Sequence, residues 1–256
     1  MNKTILYRIS SKGYPKLKIT TVNKFDCLEN LFEVFHDWNF ICVADNCSDE
    51  LLNGLSKYPF YNFFTTKLGN PGSFWKLYEE ATNITENNDI FYFIEDDYLH
   101  LHDSPKAILE GLELFDYVTL YDHPDKYQFF KKNLNPYTKF NRYSENTEVT
   151  FSKSFIWRTT NSTTMSFALK GSTLKDDYDL WKITGSNKND HDFDNFCILT
   201  KQRLILKSRI IKQLPRKLRF LFKNRKYLGT CIPGLSLHLE KNYIKDNDYI
   251  RFSIPN

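Results

Sequence analysis

The chain has 256 residues, 41% hydrophobic, 16% aromatic and 26% charged, with a formal net charge of +4. That length accommodates one large domain or two small ones, and an ordinary apolar fraction with so many rings excludes a disordered chain. No uncharged apolar stretch approaches the roughly 20 residues of a membrane-spanning helix, and Met1-Asn2-Lys3-Thr4 runs into Ile5-Leu6-Tyr7 without a signal-peptide core. A cytoplasmic protein, soluble or peripheral to a membrane, is therefore expected. Cys27, Cys42, Cys47, Cys197 and Cys231 are odd in number and lack metal-type spacing, which suits reduced thiols.

Residues Thr4 to Ile9 read as a first strand, followed by a polar stretch from Ser10 to Pro15. The spacing of Leu28, Leu31, Phe32 and Phe35 predicts a helix over Cys27 to Asp37, and Phe40 to Ala44 is a buried strand that stops at Asp45-Asn46. Strand, helix, strand forms one βαβ crossover, so parallel neighbours follow. A short helix over Asp49 to Lys57 and a strand over Phe60 to Thr65 come next. Gly69-Asn70-Pro71-Gly72-Ser73 reads as a turn into a helix bearing Phe74, Leu77, Tyr78 and Ala81. Such a turn either presents backbone N–H groups to an anion or simply places Ser73 as N-cap.

From Asp89 to Ile94 an apolar run of β-branched and aromatic residues stops at Glu95-Asp96-Asp97. This is the pattern of a buried strand that delivers carboxylates at its carboxyl end, where open α/β sheets bind ligands. Three adjacent acids repel one another. They either solvate a turn or surround a hard divalent cation, which takes oxygen ligands and shares them with phosphates.

Ser104-Pro105 opens a helix with Ile108, Leu109, Leu112 and Phe115, and Tyr117 to Tyr121 is a further strand. The alternation of β and α to this point predicts an open sheet covered by helices. From His123 to Thr150 no period is visible, as in an insertion or long loop. Phe151 to Arg158 and Thr163 to Leu169 read as two antiparallel strands, Leu174 to Trp181 as a helix, and Ser186 to Asp190 as the lead into a helix with Phe193, Phe196, Cys197 and Leu199. A single mixed α/β domain accounts for all of this.

Four features together resemble the GT-A-fold, nucleotide-sugar-dependent glycosyltransferases: Asp45-Asn46, the Gly72-Ser73 helix start, Glu95-Asp96-Asp97, and Ile232-Pro233-Gly234-Leu235-Ser236-Leu237-His238. The resemblance covers residues 4 to 121 well and the remainder loosely. It implies a Rossmann-like mixed sheet with helices on both faces, a nucleotide-sugar-binding half over residues 1–122 and an acceptor-binding half over 123–256. It also implies that the acidic triplet stands in place of the family's Asp-x-Asp motif, Glu in the first place being a mild departure. Glu95 and Asp97, with His238 as distal ligand, would hold Mn²⁺ or Mg²⁺ against the donor diphosphate. Arg8, Ser10, Asp45, Asn46, Gly72, Ser73 and Asp96 would fall on the donor, Asp45 where the family reads the nucleobase. The activity implied is transfer of the sugar to a hydroxyl of a glycan, lipid-linked or protein acceptor. Inversion is expected from Asp190-His191-Asp192-Phe193-Asp194, which resembles the acidic helix start that supplies a base, Asp192 before Asp190.

Physical arguments run beside the resemblance. Departure of a nucleoside diphosphate leaves charge on its oxygens, which a cation stabilises as it develops, and the acceptor hydroxyl needs a base within hydrogen-bond reach. Asp190 and Asp192 equally suit a helix N-terminus. Trp157-Arg158 either stacks on a sugar and pairs with an anion or packs in the core. From Lys201 to Lys226 the chain carries eleven Lys and Arg and no acid. That segment is a solvated face, a contact with an anionic membrane, or the basis of a different reading, a non-catalytic nucleic-acid-binding module. The transferase reading expects no nucleic acid.

Overall fold

Residues 1–11, 18–19, 21–127, 147–185, 192–201, 218–244 and 246–254 are described by the computed structural model. Their elements are β1 (Lys3–Ile9), α1 (Lys24–Val34), β2 (Asn39–Asp45), α2 (Asp49–Leu55), β3 (Asn62–Thr66), α3 (Gly69–Ile84), β4 (Ile90–Glu95), β5 (Tyr98–His100), α4 (Ser104–Gly111), β6 (Tyr117–Thr119), β7 (Val149–Phe151), β8 (Ile156–Thr159), β9 (Phe167–Lys170), α5 (Gly171–Asp176), α6 (Tyr178–Gly185), α7 (Asp192–Leu199), β10 (Leu228–Ile232), β11 (Ser236–His238) and α8 (Asp246–Arg251). No helix among them is long and apolar enough to cross a membrane.

Side chains alternate across a strand, so a strand buried on both faces feeds two cores. Along β1 and β4, Ile5, Tyr7, Ile9, Tyr92 and Ile94 join Leu28, Leu31 and Phe35 of the α1 side. Leu6, Phe91 and Phe93 face the other way, toward Phe74 and Leu77 of α3, Trp181 of α6 and Phe196 of α7. α1 is started by a capping box, Asn23 Oδ1 accepting from Phe25 and Asp26 N while Asp26 Oδ2 accepts from Asn23 N at 2.7 Å.

The main sheet has nine strands in the order β3-β2-β1-β4-β9-β6-β10-β8-β7. β3, β2, β1 and β4 run parallel, β9 runs antiparallel to both β4 and β6, and β10 is parallel to β6. This is the α/β mixed sheet with helices on both faces, in one domain, that the sequence predicts. A second sheet pairs β5 with β11, Tyr98 opposite His238.

Three predicted features come out differently. The strands expected over 151–158 and 163–169 do not pair with each other: β8 joins β10 and β7, whereas β9 wedges between β4 and β6. Proximity in sequence argued for a hairpin, but a hydrophobic slot between two parallel strands outcompeted it. The helix expected over 174–181 is two, α5 and α6, meeting at buried Asp177, which accepts from Tyr117 Oη at 2.8 Å. Finally, α3 starts at Gly69, four residues before Ser73.

Where β9 hands over to α5, Gly171 N donates to Asp89 O at 2.7 Å. A Cβ there would stand 2.0 Å from Glu86 O and 2.2 Å from Thr85 Oγ1. Backbone cannot swing aside as a side-chain tip can, so Gly171→Ala is expected to cost about 3 kcal/mol in urea unfolding. An unchanged midpoint would show that the 85–89 loop yields freely.

Residues 186–191, Asp190 among them, and the core of the basic segment, 202–217, lie outside the described residues. The end of that segment folds back on acids: Lys223 reaches Asp177 at 3.2 Å, and Lys226 reaches Asp176 at 3.3 Å and Asp116 at 3.5 Å. Trp157 is fully buried and donates its Nε1 proton to Ser152 Oγ at 3.1 Å, so it packs in the core. Its neighbour Arg158 is paired with Asp122 at 2.7 Å.

Candidate active site

The parallel strands β1, β2 and β4 end side by side, bringing Arg8, Asp45 and Glu95 to one edge of the sheet. Arg8 stands opposite Glu95 in the β1–β4 register. Its guanidinium donates to Glu95 Oε1, to the carbonyl and side-chain oxygens of Asn70, and to Ser73 Oγ at 3.4 Å. The Gly69–Ser73 stretch and the acidic triplet thus share one buried cation. Gly72 lies in the same first turn, where a Cβ would meet Leu68 Cβ at 2.7 Å.

Asp45 does local work. Its Oδ1 accepts from Thr66 Oγ1 at 2.8 Å and Leu68 N at 2.6 Å, and its Oδ2 from Gly69 N at 3.0 Å and Asn46 Nδ2 at 2.7 Å. A carboxylate from β2 therefore caps α3 from a distance of 24 residues in sequence. This explains the early helix start, since Leu68 itself offers no capping side chain. Asn46 is exposed, with φ at +51°, in the left-handed region that Asn tolerates.

Asp96 and Asp97 form the turn between β4 and β5. Asp96 Oδ2 accepts from Ser10 N at 3.2 Å and pairs with Lys24 Nζ at 2.5 Å. Asp97 Oδ2 faces His238 Nε2 at 3.0 Å and Lys18 Nζ at 2.8 Å. Pairing of β5 with β11 places His238 opposite Tyr98, and the ring stacks on that phenol with centroids 4.9 Å apart. Gly234 makes the approach of β11 possible, because a Cβ there would meet Asp122 N at 2.9 Å and Leu120 O at 3.0 Å. The pairing of Asp97 with His238 thus joins residues 141 apart.

Burial drives the carboxyls of Glu95 and Asp96 up, outweighing the pull of Arg8 and Lys24. Asp97 is buried too, yet His238 and Lys18 hold it well below the usual carboxylate range. It is the acid of the three that stays ionised most firmly. Its Oδ1 is buried and has no hydrogen-bond partner among the described residues, as is true of the Tyr7 hydroxyl. Burial raises that phenol well above its ordinary value, with Asp96 and Asp97 adding to the effect.

Among the described residues no three His, Cys, Asp or Glu side chains stand ready as a metal shell. The donor set nevertheless fits a hard or borderline cation: a firmly ionised carboxylate with an unpartnered oxygen, next to an imidazole, the remaining positions being open to water or phosphate. Glu95, expected beside them, is tied to Arg8.

The structure therefore brings Arg8, Ser10, Ser73, Glu95, Asp96, Asp97 and His238 around one corner. Asp45 and Asn46 adjoin it through the α3 cap, and Asp192 opens α7. The sequence reading missed Lys18 and Lys24, which sit directly on the acids. Lys24 carried one signal, its place as first helical residue after the Asn23 cap. Lys18 carried none.

No family model and no curated protein sequence matches this chain. Among solved structures it is similar to HddC from Yersinia pseudotuberculosis, at 14% identity over 98% of this chain and 98% of that one, with a TM-score of 0.44. Residues 1–349 of S. aureus TarS match at 13% identity over 87% of this chain and 73% of that one, with a TM-score of 0.43. 4-diphosphocytidyl-2C-methyl-D-erythritolsynthase from Anaerococcus prevotii matches at 11% identity over 98% and 96%, with a TM-score of 0.44.

Proposed function

We propose that this protein is a transferase that takes a nucleoside-diphosphate-linked sugar as donor and passes the sugar to a hydroxyl of a glycan, lipid-linked or protein acceptor, with inversion. The observation that carries the reading is the buried Asp97 and His238 pair, with Asp97 Oδ1 unpartnered, at the carboxyl ends of parallel strands. In this reading Asp97 and His238 hold Mn²⁺ or Mg²⁺, with Glu95 within the same cluster, and the cation supplies charge stabilisation for the departing diphosphate. Arg8, Ser10, Gly72, Ser73 and Asp96 line the donor's path, and Asp45 and Asn46 stand toward the nucleobase.

The acceptor hydroxyl requires a base, for which Asp192 is first choice and Asp190 second. The basic run before Lys226 serves peripheral contact with an anionic membrane when the acceptor is lipid-linked.

Thermal melting tests the reading directly. A nucleoside diphosphate with Mn²⁺, at a hundredfold excess over its Kd, is expected to raise Tm by about 5 to 10 °C through selective binding to the native state. No shift with any of ADP, CDP, GDP or UDP in the presence of Mn²⁺ would overturn it.

A further inference from the structure

Each acid of the triplet already has a cation of its own. Arg8 takes Glu95, Lys24 takes Asp96 and Lys18 takes Asp97, so the formal charges of the six groups cancel. The pairs are unequal in mobility. The lysine side chains are 30% and 29% exposed, whereas their aspartate partners are 10% and 11% exposed. A four-carbon stem with its outer flank in water can swing away; a carboxylate locked in a strand turn cannot.

Resting on the donor reading above, we propose that Lys18 and Lys24 are diphosphate-binding residues held in reserve: they neutralise Asp97 and Asp96 in the free protein and turn to phosphate oxygens when a divalent cation takes over the carboxylates. The charges dictate this coupling. A dication arriving alone must displace Lys18 and then lie beside the ammonium it displaced. A diphosphate arriving alone must approach three carboxylates. When both arrive together every charge keeps a partner, since the cation meets the carboxylates and the diphosphate meets the lysines.

Two buried polar atoms, Asp97 Oδ1 and the Tyr7 hydroxyl, are left unused by the resting pairs, and both Asp96 and Asp97 act electrostatically on the phenol. They are partners for an incoming cation shell that the present pairing does not satisfy. Lys18 is well placed to report the exchange, because its backbone bridges to Glu240, and Ile19 N donates to Leu239 O at 3.2 Å. Leu239 N in turn donates to Asp97 O at 3.0 Å. The ammonium and the carboxylate it covers are thus anchored to the same short strand end.

Calorimetric titration of the full chain separates the possibilities. The probes are MnCl2 alone, each of ADP, CDP, GDP and UDP alone, and MnCl2 at a saturating level of the best diphosphate. In the wild type, Mn²⁺ is expected to bind about tenfold or more tightly once the diphosphate is present. Lys18→Gln is expected to move the two affinities in opposite directions: Mn²⁺ alone binds more tightly, because its competitor is gone, while the diphosphate with Mn²⁺ binds about tenfold more weakly. Lys24→Gln shows the same sign reversal, and Lys18→Arg keeps wild-type coupling. Lysine variants that weaken both affinities together, or change neither, overturn the inference and leave the donor reading standing. A wild type that binds no diphosphate with Mn²⁺ overturns both.

Discussion

Asp97→Asn is expected to abolish the Mn²⁺-dependent rise in melting temperature and to lower sugar transfer by on the order of a thousandfold, the scale set by several kcal/mol of charge stabilisation. Three facts put the weight on this residue over its neighbours. It is the acid held most firmly ionised, it faces His238 at 3.0 Å, and one of its oxygens is buried without a partner. Asn preserves shape and one acceptor oxygen but removes the charge. The fold should survive, because Lys18 keeps 30% of its side-chain surface exposed and Asn still offers an oxygen toward His238. Nucleotide binding and melting measured on the same sample therefore separate a lost site from a lost structure. Wild-type coupling to Mn²⁺ in Asp97→Asn would remove the cation from this corner altogether. His238→Ala, which also leaves an aromatic wall of Tyr98 and Tyr121 unsupported, should show a weaker version of the same loss.

The first half of the chain was legible because its information is local. β1, β2 and β4 alternate between two cores along their own length, and the acids at 95–97 interrupt an apolar run that could only be a buried strand. His238 was placed near them only by the resemblance, and the structure supplies the physical reason, a three-residue strand paired with β5. What escaped notice depends on contacts distant in sequence. The wedge of β9 between β4 and β6 leaves no mark in four residues of sequence. Asp45 accepts four hydrogen bonds, two of them from Leu68 N and Gly69 N at the start of α3, and no window around position 45 or 69 reveals that capping role. Lys18 and Lys24 sit in polar stretches where lysine is the commonest solvated residue, so only the fold could show that they lie on the acids. In each case the partners are distant in sequence, which hydrophobic period cannot encode.

Acid is expected to destabilise this protein through His100, and His100→Phe to relieve that loss. The ring is 3% exposed and packs edge-on against Phe35 and Tyr92. Its Nε2 meets the Tyr92 hydroxyl at 2.9 Å, while Nδ1 has no partner among the described residues. Desolvation pushes its pKa down to about 3 from an ordinary value of 6.5. Between those two values the unfolded chain binds a proton that the folded chain refuses, so stability falls as pH falls. The contribution of the neutral ring is complete above about pH 6.5 and shrinks toward pH 3, by about 1.4 kcal/mol per pH unit, or about 3 kcal/mol by pH 4. Phe keeps the aromatic contacts, and the Tyr92 hydroxyl retains Ser166 Oγ at 2.9 Å. Urea unfolding at pH 7, 5.5 and 4 should show the wild type losing that much more than His100→Phe. The depressed carboxyl of Asp97 also weakens the fold in acid, but it does so equally in both proteins and cancels in the difference. Parallel losses in the two proteins would mean that His100 accepts its proton in place, through an opening of the β5 and α1 contact that the buried ring argues against.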